Sequence, residues 1–232
     1  MIIYLCAFKS KTYIEEAKVC IRSIREKGMF TGDIFLFTDL DVSIDGVKII
    51  KASVTSIPMS SAYRLRFFNH LKLEDLPKNE IILYLDTDIV VLNKIPSFED
   101  IDDKINVYGY DTRTQIGASF SGFITTDTFY TAKQAICAGI LLYRPNELVK
   151  KTFDDAYDLF LDCLEKGKMN ACWEQPSLCY MLTKHNMSTI SLSKVVYEER
   201  NRGQKISDDH IFNHFCGLRG ADRYKSMTKY LE

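Results

Sequence analysis

The chain has 232 residues, with 30 Lys+Arg against 31 Asp+Glu and a formal net charge of -1. That length suits one large domain, able to bury roughly 70–75% of its unfolded surface without disulfide staples. The balanced charge excludes a general attraction to nucleic acid or acidic membranes, so no nucleic-acid partner is expected and any anionic substrate must be neutralised locally.

The run Ile2–Phe8 is too short to span a bilayer and has no basic or cleavage-site flank, so it reads as a first strand. The expected location is cytoplasmic, or at the cytoplasmic face of a membrane. Thr12–Met29 follows as a helix, with Ile14, Ala17, Ile21 and Ile24 recurring on one stripe and Lys18, Arg22 and Arg25 off it. Ile34–Phe37 and Gly46–Ile50 are short strands, and Ser60–Leu76 is broadly helical through Tyr63, Phe67, Leu71 and Leu73.

Ile81–Val90 is the most informative segment: an unalternating apolar run, as in a strand covered on both faces, interrupted by Asp86 and Asp88. Buried carboxylates need a cation or a proton. In extended chain, residues two apart point the same way. Two converging hard oxygen ligands at a strand end suit a divalent metal holding a phosphorylated substrate. A strand-end turn with two solvated carboxylates is the plainer alternative.

Beyond this, Ile105–Tyr110 reads as a strand, Thr112–Thr131 as a binding loop, and Ala135–Tyr143 as a strand. Glu147–Glu165 and Trp173–Thr183 read as helices and Ile211–Cys216 as a last strand. The order is that of an α/β domain with a mixed, mostly parallel sheet flanked by helices, whose active groups gather beyond the carboxyl ends of the strands. The seven cysteines include no Cys-x-x-Cys pair, which argues against zinc or redox chemistry; Cys6, Cys20, Cys137, Cys163 and Cys179 read as reduced core residues.

Six features in order resemble the GT-A fold glycosyltransferases of family 8, the glycogenin and lipopolysaccharide galactosyltransferase group. They are Tyr13, Tyr63-Arg-Leu-Arg66, Tyr84-Leu-Asp-Thr-Asp88, Cys137-Ala-Gly-Ile-Leu-Leu142, Glu174-Gln175 and His214-Phe-Cys-Gly217. The resemblance implies a single transferase domain over 1–232, with a nucleotide-binding half to about 104 and an acceptor-side and metal-binding half after it. It implies a retaining, metal-dependent hexosyl transfer from a nucleotide-diphosphate sugar, by family habit a UDP-sugar, to a glycan or other hydroxyl acceptor.

By the same resemblance Asp86, Asp88 and His214 would hold Mn2+, with Asp86 also at the ribose; Mg2+ fits the oxygen ligands, and the histidine favours Mn2+. Phe8, Tyr13 and Thr87 would contact the nucleotide. Arg66, with Arg64 as the alternative, would reach the diphosphate or donor sugar. Glu174 would bind sugar hydroxyls and Gln175 lie near the reacting carbon, although helix capping is enough to explain an acid at Glu174. Gly217 would let backbone amides approach phosphate.

Two departures stand out. The family loop Gly-x-x-Lys-Pro-Trp is here Gly217-Leu-Arg-Gly-Ala-Asp222, so Arg219, or else Arg223 or Lys225, would supply the missing charge. Cys137 replaces a sugar-contacting Asn. Trp173 reads either as a sugar-facing aromatic or as a helix anchor. Two other classes stay open: a phosphatase of the haloacid dehalogenase type, read from Asp86-Thr-Asp-Ile-Val90 with Ser207-Asp-Asp209, and an inactive GT-A domain that only binds a glycan or partner.

Overall fold

The computed structural model describes residues 1–107, 136–167, 173–199 and 205–232. The expected loop Thr112–Thr131 and the end of the expected strand Ile105–Tyr110 lie outside these residues. In order come β1 (Ile2–Cys6), α1 (Lys11–Glu26), β2 (Ile34–Thr38), β3 (Lys48–Lys51) and α2 (Ile57–Ala62), then 3-10 turns at Tyr63–Asn69 and Leu73–Asp75. They are followed by β4 (Ile82–Leu85), β5 (Ile89–Val91), β6 (Ile105–Val107), β7 (Ile140–Tyr143), α3 (Glu147–Glu165) and α4 (Gln175–Lys184). The chain ends with β8 (Thr189–Ser191), β9 (Val196–Glu198), β10 (Phe212–His214) and α5 (Gly220–Thr228).

Among the described residues, seven strands form the main sheet in the order β3-β2-β1-β4-β7-β6-β8. The pairs from β3 to β4 are parallel, as is β6 with β8, whereas β7 runs antiparallel to both its neighbours. Alternation along the buried strands sorts two cores. Tyr4, Tyr84 and Tyr143 join Phe37, Phe67 and Phe153 on an aromatic face, while Ile3, Leu5, Leu83, Leu85 and Leu142 meet an aliphatic one. Both faces are covered, which is why these strands read as unbroken apolar runs.

Helix α1 starts where Ser10 Oγ accepts from Thr12 N–H, and it lays Ile14, Ala17, Ile21 and Ile24 on the aliphatic face. Full burial of each isoleucine contributes about 1.5–3 kcal/mol. Arg25, off that stripe, donates to the carbonyls of Phe30, Gly32 and Gly46 and so fixes the loops at the far end of α1.

Two expectations are corrected, and one element is added. The Ile81–Val90 run is two strands in different sheets, β4 in the main sheet and β5 in a second sheet of order β5-β10-β9, joined by a turn at Thr87–Asp88. The broad helix over Ser60–Leu76 is a short α-helix followed by 3-10 turns, with Arg66 out of helical geometry at φ -100, ψ 16. The C-terminal helix α5 was not foreseen, since only Met227 of its nine residues is buried and no apolar period marks it.

Candidate functional site

The turn after β4 carries the acidic pair out of the sheet. Asp86 N–H donates to Gly139 O at 2.8 Å and Ile89 N–H to Asp86 O at 3.3 Å, so the turn is pinned to the segment entering β7. The second sheet supplies the histidine. Its antiparallel register sets His214 opposite Ile89, and Phe215 N–H donates to Asp88 O at 2.9 Å. Ligand atoms of Asp86, Asp88 and His214 consequently lie within 4.8 Å of one another, and Asp88 Oδ1 is 3.3 Å from His214 Nε2. The convergence comes from the turn and the register rather than from the alternation of an extended strand.

Each aspartate meets its own arginine. Arg64 Nη1 is 3.0 Å from Asp86 Oδ1, and its Nε is 2.9 Å from Glu174 Oε1. Arg64 also donates to the Ala138 and Ser61 carbonyls and lies 4.9 Å over the Tyr84 ring, whose hydroxyl donates to Asp86. On the other side Arg223 Nη1 donates to Asp88 Oδ2 at 2.8 Å, while its Nε and Nη2 take both oxygens of Glu16 at 2.8 and 2.9 Å. Thr87 Oγ1 donates to Glu16 at 3.4 Å. A buried carboxylate without such a partner would be costly.

Electrostatics follow from these contacts. Burial pushes the Asp86 carboxyl up against the pull of Arg64. Burial works the same way on Asp88, but His214 and Arg223 outweigh it and hold that carboxyl at about 2. Burial disfavours a charged His214, yet the Asp88 carboxylate and the Cys137 thiol raise its pKa well above the usual imidazole range. Glu16 is raised, by burial that Arg223 only partly offsets.

A cleft of about 240 Å³ opens over this cluster, lined by Phe8, Tyr13, Arg64, Asp86, Thr87, Asp88, Trp173 and Arg223, with Cys6, Ile57, Ser60, Ser61 and Tyr84. Among the expected residues, Phe8, Tyr13, Asp86, Thr87 and Asp88 line it, and His214 stands directly behind Asp88. Gln175 is fixed to the nearby backbone, its Oε1 accepting from Ala138 N–H at 3.1 Å. Glu174 is 2% exposed and makes no side-chain cap to α4; its partner is Arg64, so capping does not explain it. Gly217 has φ +92, a conformation that favours glycine.

Arg66 is not with them. Its guanidinium lies 4.6 Å over Tyr157 and 3.5 Å from Asp154, on the α3 side. In a 3-10 turn, side chains two residues apart diverge by about 120°, so Arg64 turns inward where Arg66 turns away. Arg219 is exposed at the start of α5, and the guanidinium at the cleft is Arg223, one turn further on. Glu16 was missed altogether, because an acid on a surface-like helix signals nothing until α5 covers it.

The donor set fits a divalent ion: two carboxylates and an imidazole suit a first-row metal and leave positions for phosphate oxygens. Asp88 can offer Oδ1 on the His214 side while Oδ2 stays on Arg223.

Comparison with known proteins follows the same lines. The model of glycosyl transferase family 8 matches residues 40–219. The fold is similar to that of the galactosyltransferase LgtC, solved in complex with donor and acceptor sugar analogs, at TM-score 0.62 and 14% identity over 99% of this chain and 95% of that one. No curated protein matches the chain by sequence.

Proposed function

The chain belongs to glycosyl transferase family 8, and from that premise we propose that it transfers a hexose, with retention, from a UDP-sugar held with Mn2+ to a hydroxyl of a glycan or other acceptor. The observation that supports this most is the meeting of Asp86, Asp88 and His214 within 4.8 Å at the floor of a cleft flanked by two arginines. These three residues would hold the ion. When bound, it would act as a Lewis acid on the departing diphosphate.

The chain's own groups divide the remaining work. Tyr13 offers an aromatic face for the base at the β1 end of the cleft; Phe8 also lines it but is 1% exposed. Arg223 and Arg64 bring fixed positive charge to the phosphate region, in place of Arg219 and Arg66. Both are preorganised by two carboxylates each, so little reorganisation accompanies donor binding. Glu174, 2% exposed and not lining the cleft, acts through Arg64, which it holds at 2.9 Å. Gln175 fixes the Ala138 backbone and with it the wall beside the reacting carbon.

Retention without a covalent intermediate is consistent with the carboxylates at hand. Among the described residues, Asp86, Asp88, Glu16 and Glu174 are each engaged by an arginine and are poor nucleophiles. In the proposed front-face course the C1–O bond to the diphosphate breaks, and the acceptor oxygen bonds to C1 on that same face. The acceptor proton passes to a phosphate oxygen of the leaving group.

The phosphatase alternative falls with the family match. No described helix is long and apolar enough to cross a membrane; a cytoplasmic site of action is part of the proposal. The deciding experiment is a screen of UDP-, GDP- and CDP-sugars with Mn2+, read by thermal stabilisation and nucleotide release together. Selective stabilisation by UDP-sugars with UDP release supports the proposal. Stabilisation without any release points to the inactive, binding-only reading.

A further inference from the structure

We propose that Trp173 is a stacking platform for a pyranose ring in the cleft; this rests on reading the cleft as a sugar-transfer site. Trp173 is the chain's single tryptophan, and it is 41% exposed at the cleft wall. A helix anchor would bury the indole. Here the anchoring is done by its neighbour: Glu174 is 2% exposed and fixed at 2.9 Å by Arg64, which also holds Asp86 at 3.0 Å. The indole is thereby tied, through one residue and one guanidinium, to Asp86.

The backbone points the same way. Trp173 has φ +49, a left-handed conformation that is unfavourable for a bulky residue and that clusters at functional sites. Ile57, 58% exposed, is a second large apolar side chain lining the cleft.

The cleft has two chemically different ends. Asp88 leads through Arg223 to Tyr13, whose ring lies 6.0 Å from that guanidinium. Asp86 leads through Arg64 to Glu174 and Trp173. With the diphosphate over the aspartates, a base at Tyr13 leaves the sugar at the Trp173 end. A pyranose offers a face of weakly positive C–H groups to the electron-rich indole, and hydroxyls to Arg64, which also lines the cleft. The ring is either the donor's hexosyl group or the acceptor's.

The test compares wild type, Trp173→Phe and Trp173→Ala by calorimetry with UDP, UDP-glucose and UDP-galactose. Methyl glucoside and methyl galactoside are then added to UDP-saturated protein. Indole emission is followed in Mg2+, since Mn2+ quenches fluorescence, and the lone tryptophan makes it a direct report. We expect UDP to bind all three proteins alike, and the sugar-bearing ligand to lose about tenfold in W173A and less in W173F. Emission should move with the sugar nucleotide if the ring is the donor's, and with the methyl glycoside if it is the acceptor's. Equal weakening of UDP and UDP-sugar, or sugar ligands that bind W173A as they bind wild type, overturns the platform and leaves the transferase reading standing; W173F decides the matter if W173A folds poorly. If neither UDP-sugar binds wild type, the UDP-hexose reading of the cleft fails and the platform with it.

Discussion

Arg223 Nη1 and Asp88 Oδ2 meet at 2.8 Å across 135 positions of sequence, joining α5 to the turn after β4. The same guanidinium closes on Glu16 of α1, and Arg64 repeats the pattern between Asp86 and Glu174. The negative charge of the acidic pair is therefore partly compensated by the fold before any ligand arrives. Each arginine is then a structural counter-ion and a charge poised at the cleft.

Arg64 and Arg66 should differ sharply in stability cost. Arg64→Ala leaves Asp86 and the 2%-exposed Glu174 without their cation, a loss of about 3–5 kcal/mol. Arg66→Ala removes a partly exposed contact with Tyr157 and Asp154, costing about 1 kcal/mol or less. Urea unfolding of the two variants checks this, and equal costs would mean that the Arg64 cluster is not held as described.

Arg223 sets two ligands in opposition. Its charge beside Asp88 repels a second cation but attracts phosphate. Arg223→Gln should accordingly bind Mn2+ alone more tightly and UDP-sugar with Mn2+ more weakly, both readable by calorimetry. A parallel change in the two affinities would contradict this division.

The Asp88–His214 pair predicts a pH dependence in the metal-free protein. His214 is raised on folding, so its contribution is complete below the unfolded value of about 6.5 and fades as pH climbs through the raised value. Asp88 is lowered to about 2, so its contribution is complete above about 3.9 and fades as pH falls from there to about 2. The pair stabilises most between about pH 4 and 6.5. The gap in thermal midpoint between wild type and His214→Gln should then narrow as pH rises above about 6.5. A gap constant from mildly acid to alkaline pH would remove the protonated imidazole from the account.

Much of this was legible in the sequence where apolar periodicity is strong. Helix α3 spans the expected residues Glu147–Glu165, and the stripe of α1 packs as expected. The acidic pair was legible too, because carboxylates inside an apolar run demand an explanation. What was lost depends on long-range geometry. Nothing local tells that the chain leaves one sheet for another at Thr87, that a 3-10 turn selects Arg64 over Arg66, or that Glu16 is buried by α5. The three-residue strands β8 and β9 are too short to show a period.

The account stands most directly on Mn2+ uptake measured by electron paramagnetic resonance, with and without UDP, in wild type, Asp86→Asn and His214→Gln, each first shown to be folded. Wild type should take up Mn2+ more tightly when UDP is present, and both variants should lose that UDP-dependent uptake. Undiminished uptake in the folded variants would place the ion elsewhere and contradict the site built from Asp86, Asp88 and His214.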